Sequence, residues 1–223
     1  MGNFFTSSVG KKFIMSITGI FLMLFLIVHL TVNSLLIAGP EAFNSAAHFM
    51  ATNSAIVVIE PILALGFIIH IIYSAYITYV NQNMRPVRYK KIDRKESTTW
   101  PSRNMFILGG LVLIFLVIHL SNFFWKAKFG QVDTVMIDGV EMDNLYGLVS
   151  ELFINWWWYD LIYVLGAIFL GLHLSHGFWA AFQSLGWDND LWRKRLKTIA
   201  YIFAVIMATG FAVIPIYFLI TYN

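Results

Sequence analysis

The chain has 223 residues, of which 59% are hydrophobic and 12% charged, with a mean hydropathy of +0.71. That excludes an ordinary soluble domain, which carries about 25% charged residues, and a formal net charge of only +3 gives no reason to expect a nucleic-acid partner. The chain has no cysteine, which excludes disulfides, thiolate-held clusters within this chain and covalent cofactor attachment through C-x-x-C-H, but not ligation by histidine alone.

Stretches of about 20 apolar residues cross the hydrocarbon core of a bilayer, and five can be placed in order. Helix 1 covers about 12–37 and stops near Gly39-Pro40. Helix 2 covers about 54–82, with Pro61 in its first turn. Helix 3 covers about 104–126 after Pro101, helix 4 about 156–184, and helix 5 about 198–220 with a kink at Pro215. The expectation is an all-α integral membrane protein, with residues 1–223 forming one transmembrane domain. The start, MGNFFTSSVGKK, lacks a leading basic region and a small-residue cleavage site after the apolar run, so helix 1 is expected to be retained.

Lys and Arg counts set the orientation. Lys11 and Lys12 precede helix 1, Arg85, Arg88, Lys90, Lys91, Arg94, Lys95 and Arg103 lie between helices 2 and 3, and Arg193, Lys194, Arg195 and Lys197 lie between helices 4 and 5. These thirteen fall on one side, against Lys126 and Lys128 on the other. The positive-inside rule then puts the N-terminus in the cytoplasm and the C-terminus outside. The outer segment 127–155 is acidic, and Trp156, Trp157, Trp158 and Tyr159 close it as an interfacial aromatic anchor.

Each of the first four helices carries a histidine inside its apolar run, and an ionisable group there marks a functional site by default. FLIVHLTVN at 25–33 returns as FLVIHLSNF at 115–123. At 1.5 Å per residue, His29 lies roughly 15 Å and His119 roughly 10 Å below the outer ends of their helices, whereas His70 and His173 lie roughly 25 Å deep. The histidines therefore form an outer pair, His29 with His119, and an inner pair, His70 with His173. Two imidazoles facing one another in a helix bundle can supply both axial ligands of a haem iron. Two such layers stack two haems across the membrane.

Glycines sit where such layers need room. Gly19 and Gly109 each lie ten residues before an outer histidine, which carries them to the inner pair's depth. Gly166, seven before His173, and Gly66, four before His70, are further notches. Aligning HIIYSAY (70–76) with HLSHGFW (173–179) matches His173 to His70 and His176 to Tyr73, which favours His173 as the fourth ligand. His176 is then left to bond a propionate, a quinone or a backbone carbonyl. His48, in the outer connection between helices 1 and 2, reads as an exposed polar residue. A single metal site would want its ligands at one depth, and a proton-relay transporter would want several membrane carboxylates, where only Glu60 and Asp160 come near.

This constellation, one histidine in each of the first four helices and none in the fifth, together with HLSHGFWAAFQSLGW at 173–187, resembles the cytochrome b membrane-anchor subunit of succinate dehydrogenase and quinol:fumarate reductase, of the five-helix, dihaem type. The resemblance implies that the first four helices form a haem-binding four-helix bundle holding two haem b, the distal one by His29 and His119 and the proximal one by His70 and His173. It also implies electron transfer between partner subunits and menaquinone or another quinone, as part of a respiratory chain and the tricarboxylic acid cycle. The flavoprotein with its FAD and dicarboxylate site, and the iron–sulfur subunit with its clusters, would dock on the cytoplasmic face of a bacterial inner membrane, with a dimer of heterotrimers as one assembly. Ser16, thirteen residues before His29, matches a family position that contacts a propionate of the proximal haem. Arg103 and Trp100, at the inner start of helix 3, are further propionate candidates. Glu60, ten residues outward of His70, reads either as a proton-exchanging group for quinol or as an N-terminal carboxylate beside Pro61. Other readings are the cytochrome b anchor of a hydrogenase or formate dehydrogenase, and a transporter or scaffold without haem.

Overall fold

A computed structural model describes residues 7–83, 99–187 and 189–222. Five helical stretches are long and apolar enough to cross a membrane: Val9–Ala38, Ser54–Asn83, Met105–Phe129, Trp157–Ser184 and Asp190–Tyr222. Their outward faces carry large apolar side chains such as Val58, Ile72, Ile114, Leu161 and Val205. That suits a lipid solvent, where an apolar surface costs nothing.

Helix α1 (Ser8–Ala38) starts earlier than the sequence suggests, because Ser7 caps it by accepting from the Gly10 N–H at 3.0 Å. Lys11 and Lys12 therefore lie within its first turns rather than ahead of it. Gly39, at φ 115°, ends the helix and admits Pro40 at the start of α2 (Pro40–Thr52). This outer connection is thus a helix rather than a loop, and His48 on it is half-buried rather than exposed.

Helix α3 (Ser54–Asn83) begins where the Asn53 side chain accepts from the Ala55 N–H at 3.0 Å. Pro61 consequently lies inside the helix rather than in its first turn, and the N-terminal carboxylate role considered for Glu60 does not arise. Arg85, Arg88, Lys90, Lys91, Arg94 and Lys95 lie outside the described residues.

The third span is composite. A short helix α4 (Trp100–Arg103), capped by Thr99, leads into α5 (Met105–His119). A π-helical turn over Leu120–Phe124 follows, and then α6 (Trp125–Phe129). The turn begins at the residue after His119, the kind of place where π-bulges gather around functional sites.

Between the third and fourth spans the chain builds a small cap. Strands β1 (Thr134–Ile137) and β2 (Val140–Asp143) pair antiparallel, with Ile137 opposite Val140. The two-residue turn Asp138-Gly139 has positive φ at both positions, 51° and 78°, as a tight hairpin requires. Helix α7 (Leu145–Asn155) follows, its first turn accepted by Asn144. Asn44 of α2, 1% exposed, donates to Asn144 and accepts from the Tyr146 N–H, tying this cap to α2.

Helices α8 (Trp157–Ser184) and α9 (Asp190–Tyr222) pack along their length. A β-carbon at Gly171 would lie 2.7 Å from Ala208 Cβ, so this pair depends on a small residue at the contact. Because α9 begins at Asp190, Arg193, Lys194, Arg195 and Lys197 ride on its first turns rather than in a loop. Helix α1 contacts α3, α8 and α9, and α5 packs on α8. The first and third spans, like the second and fourth, thus face each other diagonally rather than as close neighbours.

Candidate functional site

Alternating helix directions bring the four histidines to two levels. Nearer the hairpin end, His29 and His119 approach with ring centroids 5.7 Å apart and planes at 87°. With a metal–imidazole bond of about 2 Å, two imidazoles on opposite sides of one ion have centroids roughly 6 Å apart, so this separation suits a shared metal. Phe25 stacks on His29 at 5.1 Å, and Phe211 of α9 reaches it at 5.8 Å. Asn33, one turn after His29, donates to the His29 carbonyl at 2.8 Å and lies 3.4 Å from its Nδ1. On the other side His119 meets Phe115, Phe123 and Tyr163, and its Nδ1 is buried without a partner among the described residues.

At the second level each histidine faces a glycine of a neighbouring helix. A β-carbon at Gly19 would lie 3.6 Å from His70 Cε1, and one at Gly109 would lie 3.6 Å from His173 Cε1. The glycines ten residues before the first pair therefore border the second. Thr18 faces the His70 ring nitrogen Nδ1. Its hydroxyl lies 2.9 Å from the Ile14 carbonyl and 3.3 Å from His70 Nδ1, so while it donates to the backbone its oxygen is placed to accept from an N–H at Nδ1. A proton on Nδ1 would suit this contact and leave Nε2 to ligate, the usual arrangement of a metal-binding histidine. The His173 Nδ1 is buried without a partner among the described residues. These features fit a planar, histidine-ligated group such as haem: one pair of imidazoles meeting across a diagonal, buried nitrogens without protein partners among the described residues, and glycines beside the other two rings. No cluster of three or more His, Cys, Asp or Glu able to hold a bare metal ion occurs among the described residues.

The other glycines are differently placed. Gly66 is covered by the Phe21 ring at 3.1 Å and Gly166 by the Phe115 ring, so aromatic side chains fill these notches. His176 lies against Trp179 of its own helix, with ring centroids 5.2 Å apart, and Lys197 lies over the same indole at 5.0 Å. Ser16 is 4% exposed, and its hydroxyl donates to the Lys12 carbonyl at 2.9 Å. Arg103 and Trp100 are exposed on α4. Glu60 is on the surface, paired with Lys128 of α6 at 3.0 Å.

Several groups here escape sequence reasoning. Thr18 and Asn33 look like ordinary polar residues of a membrane helix until the fold sets them beside imidazoles. Asn122, buried in the π-helical turn, donates to the Tyr163 hydroxyl at 3.2 Å, and no local pattern announces that bond. The one available signal is spacing, since Asn33 and Asn122 fall four and three residues after a histidine.

No family model matches the chain, and no solved structure matches it significantly. Among characterised proteins, the succinate dehydrogenase cytochrome b558 subunit of Bacillus subtilis (strain 168) is 28% identical over 158 residues, covering 70% of this chain and 69% of the relative. That similarity supports, independently of the histidine pattern, the resemblance to a succinate dehydrogenase cytochrome b anchor.

Proposed function

We propose that this multi-pass membrane protein is the dihaem cytochrome b anchor of a succinate:quinone oxidoreductase. The observation that supports the reading most is the approach of His29 and His119 across one diagonal of the helices, with His70 and His173 each beside a glycine of a neighbouring helix at a second level. His29 and His119 would hold the outer haem, and His70 and His173 the inner one. When bound, the two haems supply a one-electron relay across the membrane.

The chain's own residues orient and insulate that relay. Thr18 faces His70 Nδ1, Phe25 and Phe211 wall in His29, and Gly19 and Gly109 leave the inner imidazoles free of neighbouring side chains. Arg103 and Trp100 are donors for the inner haem's propionates, with His176 as a further donor and Ser16 joining them when its hydroxyl turns from the Lys12 carbonyl. The N-terminus is cytoplasmic, and the C-terminus and hairpin lie outside. The basic first turns of α9, with Lys194, Arg195 and Lys197, then face the flavoprotein and iron–sulfur subunits. At the opposite end Glu60 exchanges protons with menaquinol or another quinol. Its partner Lys128 holds the carboxylate in place at 3.0 Å.

Purification of the tagged chain from its native membrane tests the reading. A flavoprotein and an iron–sulfur protein should co-purify, with succinate:quinone activity. Co-purification with a hydrogenase or formate dehydrogenase instead would assign the anchor to another quinone-linked enzyme.

A further inference from the structure

Asp160 lies in the first turn of α8, 2% exposed, and neither carboxyl oxygen has a hydrogen-bond partner among the described residues. A buried carboxyl in that position is stabilised only by a proton or by positive charge close by, since an isolated carboxylate in a low-dielectric interior is costly. No Lys or Arg pairs with it among the described residues. One helical turn further along the same face is Tyr163. Its ring lies 6.0 Å from that of His119, and its hydroxyl accepts from Asn122 in the π-helical turn that follows this histidine. Asp160 thus lies one turn from a tyrosine that touches His119, whose own Nδ1 is buried without a partner among the described residues, and Phe115, Phe123 and Phe153 pack around that tyrosine.

We propose that Asp160 is the proton-exchanging carboxyl of the outer layer, binding one proton for each electron that enters it. This rests on the dihaem reading. A bound metal centre is the largest local charge in such a site, and an oxidised bis-imidazole haem carries one more positive charge than a reduced one. With the iron oxidised, that charge balances an ionised Asp160. An electron arriving from the partner subunits or from quinol removes the balance. A proton from water on the hairpin side then forms an O–H bond on the carboxylate, and no bond in the protein breaks. Asp160 thus acts on the outer layer through its charge, one helical turn from the Tyr163–His119 contact, and does not touch the iron.

The test uses the intact complex and compares wild type with D160N and D160E. Redox-induced infrared difference spectra of wild type should show a protonated-carboxyl C=O band on reduction of the outer haem. D160N should lack it, and D160E should retain it at a shifted frequency. D160N should also raise the outer haem's midpoint potential, because the variant removes a negative charge that favours the oxidised state. A carboxyl band unchanged in D160N with both haems bound would overturn this inference alone. Wild-type protein without two haems would overturn it together with the dihaem reading. If D160N assembles poorly, D160E decides: an unshifted band assigns the proton to another group.

Discussion

Thr18 and His70 meet across the first and second spans, with Thr18 Oγ1 3.3 Å from His70 Nδ1. With the hydroxyl donating to the α1 backbone, its oxygen is the acceptor for an imidazole N–H, which leaves the other ring nitrogen to ligate. A hydrogen bond of this kind adds electron density to a ligating imidazole and favours the oxidised metal. Thr18→Val, which keeps the shape and removes the acceptor, should therefore raise the inner haem's midpoint potential while leaving haem content unchanged. Redox titration of the purified variant checks this, and an unaltered potential would reduce Thr18 to a packing residue.

The glycines facing the inner pair make a steric prediction. A β-carbon at Gly19 or Gly109 stands in ordinary van der Waals contact with an imidazole at 3.6 Å, but a branched side chain would extend into the space beside the ring. Gly19→Leu and Gly109→Leu should each lose the inner haem and keep the outer one. Haem extraction per chain, with the surviving α-band, distinguishes this from general misfolding, which would lose both.

His173 and His176 lie three residues apart but face different surroundings, one beside Gly109 and the other against Trp179. His173→Ala should leave a single haem per chain. His176→Ala should keep both and shift only the inner potential. The reverse pattern would exchange their roles.

Glu60 and Lys128 form an exposed pair, 39% and 51% accessible, so the pair itself contributes at most about 1 kcal/mol to stability. Its loss should scarcely affect folding, which leaves function as the readout. Glu60→Gln should stop quinone-coupled turnover while both haems stay bound and succinate oxidation with an artificial acceptor continues. Lys128→Ala should weaken turnover to a smaller extent. Normal quinone activity in Glu60→Gln would leave the pair as a surface contact between α3 and α6.

Much of this architecture is legible in the sequence, because a bilayer admits few solutions. Five apolar stretches appear as five helices, and the ten-residue offset of Gly19 from His29 places that glycine beside His70 through helical rise alone. What escapes prediction depends on polar contacts over long separations or on local caps. The start of α9 at Asp190 follows from Asn189, whose side chain accepts from the Trp192 N–H at 2.8 Å, and an apolar count cannot see it. The helix α2 and the hairpin cap are held by Asn44 and Asn144, which are 100 residues apart. In the sequence Gly66 and Gly166 look like open notches, but a glycine says only that something approaches closely. Here the approaching groups are Phe21 and Phe115.

The central claim is that four histidines hold two haems in two layers. The most direct test is the haem b content of the purified chain in its complex, measured together with low-temperature electron paramagnetic resonance of the oxidised protein. The account predicts two haems per chain with two low-spin, bis-imidazole signals, of which His29→Ala and His119→Ala each remove the same one and His70→Ala and His173→Ala each remove the other. One haem per chain, or variants that pair otherwise, would contradict it.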